Sequence, residues 1–217
     1  MIICPKYQLV YLAPPKTGST AVKNLLLSRK FGGKRLGRPV FAHHDVVWQP
    51  RFNHWFTFIT VRQPYRRMIS MWQFSLMRLS KPTQDKFSGF FNTIFESEDR
   101  SFSAFINSKT VHDCSQAVWR YNWHLYKFNK PVDLVVYQEN LNNDIKKVPC
   151  LANEELAVVN TSKILEKPWY EYYTPEAVDK VKEWFAVDFQ RFNYNTNFDE
   201  CANGRYFKTL VCSDTND

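Results

Sequence analysis

Residues 7–20 read Tyr-Gln-Leu-Val-Tyr-Leu-Ala-Pro-Pro-Lys-Thr-Gly-Ser-Thr, and their reading decides the fold. Tyr7 to Ala13 is an apolar run rich in strand formers, and Pro14-Pro15 stops it. Lys16 to Thr20 follows as a short polar turn, and Ala21 to Ser28 is helix-like. A strand, a tight turn and a helix start, in that order, make an anion site. The N–H groups of a first helical turn have no partner within the helix, and the helix dipole places positive potential there. Gly18 allows close backbone approach, Lys16 adds a full charge, and Thr17, Ser19 and Thr20 add hydroxyls. The common ATP loop places its lysine after the second glycine. Here Lys16 precedes the only glycine of the turn, and two prolines stand where the first glycine belongs.

A second stretch has the same logic. Phe56 to Val61 is apolar along its length, as in a buried parallel strand. Arg62-Gln63-Pro64 ends it, and Pro64 suits the first turn of a helix. Tyr65 to Leu79 has helical periodicity through Met68, Ile69, Trp72, Leu76 and Leu79. Arg62 therefore stands at the carboxyl end of a strand, where open α/β sheets bind ligands. Arg66 and Arg67 precede Ser70 by four and three residues, so they share a helix face with it. An arginine with a hydroxyl receives a phosphate dianion well.

Both stretches resemble the cofactor motifs of sulfotransferases that use 3′-phosphoadenosine-5′-phosphosulfate (PAPS). By that resemblance Lys16, Thr17, Gly18, Ser19 and Thr20 hold the 5′-phosphosulfate, while Arg62 and Ser70 hold the 3′-phosphate. Tyr137 to Asp144 is similar to the family's strand and Glu-Asn-Leu segment. Asn160-Thr161-Ser162-Lys163 is similar to its loop that closes on the nucleotide, which adds Ser162 and Lys163. The helix expected over Thr174–Tyr194, capped by Thr174 with Pro175 in first position, is similar to the carbohydrate-type (Golgi-like) branch. The implied fold is α/β, a P-loop-like central parallel sheet flanked by helices. The implied reaction moves a sulfuryl group from PAPS to an acceptor hydroxyl, with a saccharide as the first choice of acceptor. Lys16 stabilises the leaving phosphate. His43 or His44 is the base, by loose likeness to glycan 2-O-sulfotransferases, and Asp45 is the runner-up. The rival readings are a P-loop nucleotide phosphotransferase, and a non-catalytic nucleotide- or glycan-binding protein on the same fold.

The remaining sequence bounds this picture. The 217 residues suffice for one α/β domain, and 44% hydrophobic content argues against disorder. The net charge of +8 favours anionic partners. Nucleic acid would rest on charge alone and is not expected. Five scattered cysteines include no C-x-x-C pair, which points to reduced thiols rather than zinc, although a Cys201–Cys212 bridge stays open. No metal site is expected. No run approaches the roughly 20 apolar residues of a membrane span, and no signal peptide is evident, so a cytoplasmic protein without a membrane partner is the simplest expectation. A strand is expected over 132–137, helices over 101–108, 115–128 and 139–145, and a polar tail over 195–217.

Overall fold

The computed structural model describes residues 1–37, 46–80, 92–95, 98–116, 130–157 and 165–208. Strand β1 (Ile2–Cys4) turns through a single 3-10 turn into β2 (Leu9–Leu12). Then come α1 (Ser19–Leu26), β3 (Lys34–Arg35), β4 (Phe56–Val61) and α2 (Pro64–Leu79). Helices α3 (Phe102–Asn107) and α4 (Lys109–Gln116) precede β5 (Leu134–Tyr137) and α5 (Leu141–Asp144). The described chain closes with α6 (Pro175–Trp184), α7 (Ala186–Arg191) and α8 (Phe198–Ala202).

The five strands form one sheet in the order β3-β1-β2-β4-β5. The β2, β4 and β5 strands are parallel, with Leu12 beside Ile59 and Ile59 beside Val135. The β1 strand runs antiparallel to both β2 and β3. The sheet is therefore mixed: the expected parallel centre is present in β2, β4 and β5, and β1 and β3 extend it with antiparallel pairs. The reason is local. Pro5 to Tyr7 is a tight turn, and it leaves no room for the crossover that a parallel pair needs.

Side chains alternate across the sheet as strand geometry requires. Ile3, Val10, Leu12, Ile59 and Val61 face one core, with α2, α3, α6 and α7. Ile2, Cys4, Leu9, Tyr11, Phe58 and Val136 face the other, with Val22 and Leu26 of α1. Both faces of β2 and β4 are thus covered, which is why those strands read as unbroken apolar runs.

Two further expectations change. The helix foreseen over Thr174–Tyr194 is interrupted at Phe185, whose φ is −115°. The stripe of Val178, Val181, Phe185, Phe189 and Phe192 still enters one core across that break. Residues 195–208 are not simply a polar tail: they contain α8, the buried Cys201 and a bridge between Tyr194 and Phe207. The 115–128 helix lies almost wholly outside the described residues, whose last helical segment there is Lys109–Gln116. Cys201 is a free thiol that donates to the Asn195 carbonyl, and Cys212 lies outside the described residues. No described helix is long and apolar enough to cross a membrane.

Candidate anion-binding site

The two motifs meet because their strands are parallel neighbours. The turn after β2 and the start of α2 after β4 lie side by side at the carboxyl edge of the sheet. Arg62 Nη1 donates to the Lys16 carbonyl at 3.4 Å. Arg67 Nε donates to the Pro15 carbonyl at 3.1 Å. The second motif thus shapes the first. Arg67 is only 1% exposed, so it is a buried anchor of the loop and not a surface charge beside Ser70.

The loop backbone is unusual at two positions. Lys16 has φ 65° and Gly18 has φ 78°, both left-handed. Gly18 is the N-cap of α1, and that conformation is one glycine adopts without steric cost. A Cβ at Gly18 would also stand 3.0 Å from Leu141 Cδ2 and 3.3 Å from Gln138 Cγ. Gly18 is therefore fixed both by its dihedrals and by the segment after β5.

Thr17 faces inward. It is fully buried, and its hydroxyl donates to the Pro14 carbonyl at 2.9 Å. The same oxygen lies 2.7 Å from Thr60 Oγ1, which lies 2.8 Å from the Tyr11 hydroxyl. Each hydroxyl has one proton to give. The donation therefore runs from Tyr11 to Thr60 to Thr17 to the Pro14 carbonyl. This chain joins β2, β4 and the loop, and leaves Thr17 its backbone for any ligand. Ser19 is buried and Thr20 half-buried, both in the first turn of α1, which carries no acidic residue.

Positive charge concentrates here. Burial, then the Arg62 guanidinium, pull the Lys16 ammonium from its ordinary 10.5 down to about 8. Its Nζ lies over the Phe74 ring, 4.5 Å from the centroid. On α2, Arg66 donates to the Tyr206 hydroxyl at 3.2 Å, and Ser70 is 4% exposed one turn further on. The carboxylate at the neighbouring strand end is already committed. Glu139 accepts from the Gln63 N–H at 2.9 Å and from the Tyr194 hydroxyl at 3.0 Å. Gln63, fully buried, caps α2 by accepting from the Arg66 N–H at 3.0 Å. Asp144 is equally internal: it accepts from the Tyr137 N–H and from Lys147.

The structure therefore brings Lys16, Thr17, Gly18, Ser19, Thr20 and Arg62 to one edge, with Ser70 on the adjoining helix. His43, His44, Asp45, Ser162 and Lys163 lie outside the described residues. Sequence reasoning missed Thr60, Gln63 and Phe74, and it set Arg67 beside Ser70 where the structure turns it to the Pro15 carbonyl. Only the pairing of β2 with β4 relates them to the loop, and spacing along the chain carries no signal of it. A helix start without acid, a lysine and arginines fit a phosphate-bearing ligand.

A sequence model described as the sulfotransferase family matches residues 1–195. Comparison with curated proteins and comparison with solved structures each give no match.

Proposed function

The chain belongs to the sulfotransferase family, and on that premise we propose that it moves a sulfuryl group from PAPS to a hydroxyl of a carbohydrate. The observation that carries this reading is the joining of the two motifs. Arg62 of the second binds the Lys16 carbonyl of the first, which supports a single edge that receives both ends of one bisphosphorylated nucleotide.

The proposed roles rest on position for the described residues and on the family resemblance for His43, His44, Asp45, Ser162 and Lys163. The α1 N-terminus, through Gly18, Ser19, Thr20 and the Thr17 backbone, holds the 5′ end. Arg62 and Ser70 hold the 3′-phosphate, and Ser162 and Lys163 close over the nucleotide. When bound, PAPS supplies a sulfuryl group activated by its phosphate leaving group. Lys16 faces the charge that grows on that phosphate, and a fixed cation away from bulk water is most effective there. His43 or His44 takes the proton of the acceptor hydroxyl, with Asp45 as the alternative base, since imidazole titrates near neutrality. Positioning and electrostatics do most of the work, as in phosphoryl transfer.

Incubation with sulfur-labelled PAPS and a panel of saccharides, phenols and tyrosine peptides tests the proposal. Label on a saccharide is expected. Label only on phenols or tyrosine would contradict the acceptor class, and binding without any transfer would favour a non-catalytic role.

A further inference from the structure

Helix α2 carries four side chains at four-residue intervals, Arg66, Ser70, Phe74 and Arg78. Residues four apart share a helix face. The ridge they make begins beside Arg62 and runs outward along the helix. Ser70 belongs to the proposed 3′-phosphate site. Phe74, one turn further, is half-buried and meets the other half of the site. The Lys16 ammonium lies over its ring at 4.5 Å, and the Arg78 guanidinium carbon lies 5.2 Å from the same centroid. One ring therefore faces two cations. The left-handed backbone at Lys16, together with the Arg62 bond to its carbonyl, fixes where the lysine stem leaves the loop.

We propose that Phe74 is the resting seat of Lys16, a positioning residue that holds the ammonium on α2 until an anion at the start of α1 draws it away. The inference rests on the donor reading above. Its physical basis is the weakness of the seat. A carboxylate partner would compete lastingly with a phosphate for the lysine. The negative face of a ring attracts a cation only modestly, by about two- to fivefold in an equilibrium at a part-exposed site. The Arg62 charge opposes the lysine and so favours the same seat. The seat is weak enough to yield to a phosphate.

The test labels the lysines by reductive methylation with carbon-13, and the Lys16→Arg variant identifies the Lys16 signal. A methyl group above a ring face is shifted upfield. The free wild type should show that shift and lose it on addition of 3′,5′-adenosine bisphosphate. Phe74→Leu should lack it from the start and bind the bisphosphate about two- to fivefold more tightly, since no ring contact is given up. Phe74→Tyr keeps the ring face and should restore both the shift and the wild-type affinity. A wild type that binds the bisphosphate without an upfield Lys16 signal overturns the seat alone, as does unchanged or weaker binding by Phe74→Leu. A wild type with the upfield signal but no bisphosphate binding overturns the donor reading, and the release of Lys16 with it.

Discussion

Lys16→Met is expected to make the protein more stable at neutral pH while removing the charge its proposed chemistry needs. The drop of the lysine from 10.5 to about 8 is a statement about stability. At 1.36 kcal/mol per tenfold it corresponds to about 3 kcal/mol borne by the folded state. Below pH 8 the lysine is charged in both the folded and the unfolded chain, and the whole cost is present. Between about pH 8 and 10.5 the unfolded chain holds the extra proton, so this group's contribution to stability rises with pH. Met keeps the length of the stem and a soft contact with Phe74, and the left-handed backbone is common to both proteins. Solvent screening and the lost ring–cation attraction reduce the gain to about 1–2 kcal/mol. For a chain of this size that is about 2–8 °C in Tm. Thermal unfolding followed by circular dichroism at pH 7 and pH 9.5 measures it. By pH 9.5 about three fifths of the wild-type cost is relieved, so the gain should shrink to under about 1 kcal/mol. A Met variant less stable than wild type at pH 7, or an equal gain at both pH values, would refute the reasoning.

Four further outcomes are expected. Lys16→Ala should lower turnover by about 10²–10³, the usual loss for an electrostatic donor to the transition state; near-normal steady-state rates would remove its role. Arg62→Ala should weaken bisphosphate binding at least tenfold, since a hydrogen bond to a charged group is worth about 1.5–3 kcal/mol; calorimetry showing unchanged affinity would contradict the 3′-phosphate assignment. Thr60→Val deprives Tyr11 of an acceptor and Thr17 of a donor, and should cost about 1–3 kcal/mol in denaturant unfolding, with Thr60→Ser close to wild type. Gly18→Ala meets a left-handed φ and a 3.0 Å contact with Leu141, so a loss of about 1–2 kcal/mol or more is expected in the same assay.

The sequence shows the parts of the fold that depend on local pattern. The apolar runs of β2 and β4 were legible because both faces of those strands are buried. The starts of α1 and α2 were marked by a glycine and a proline at the positions their backbones require. The β1 and β3 strands were not legible, because Ile2–Cys4 is too short for periodicity and Lys34–Arg35 is an exposed edge pair. The break at Phe185 was hidden because no proline or glycine marks it and the apolar stripe continues across it. Within the site, charge and hydroxyl content could be read from the chain, but direction could not. Thr17 looked like a ligand donor, yet the register of β2 against β4 places Thr60 beneath it and turns its hydroxyl inward. Arg67 looked like a companion of Ser70, yet it reaches the Pro15 carbonyl because two loops distant in sequence are adjacent in the sheet.

Calorimetric binding of 3′,5′-adenosine bisphosphate, compared with ATP and AMP and without added metal, tests the central claim most directly. Selective binding of the bisphosphate is the predicted result. Absence of binding, or a magnesium-dependent preference for ATP, would mean that the edge formed by Lys16 and Arg62 does not hold this nucleotide.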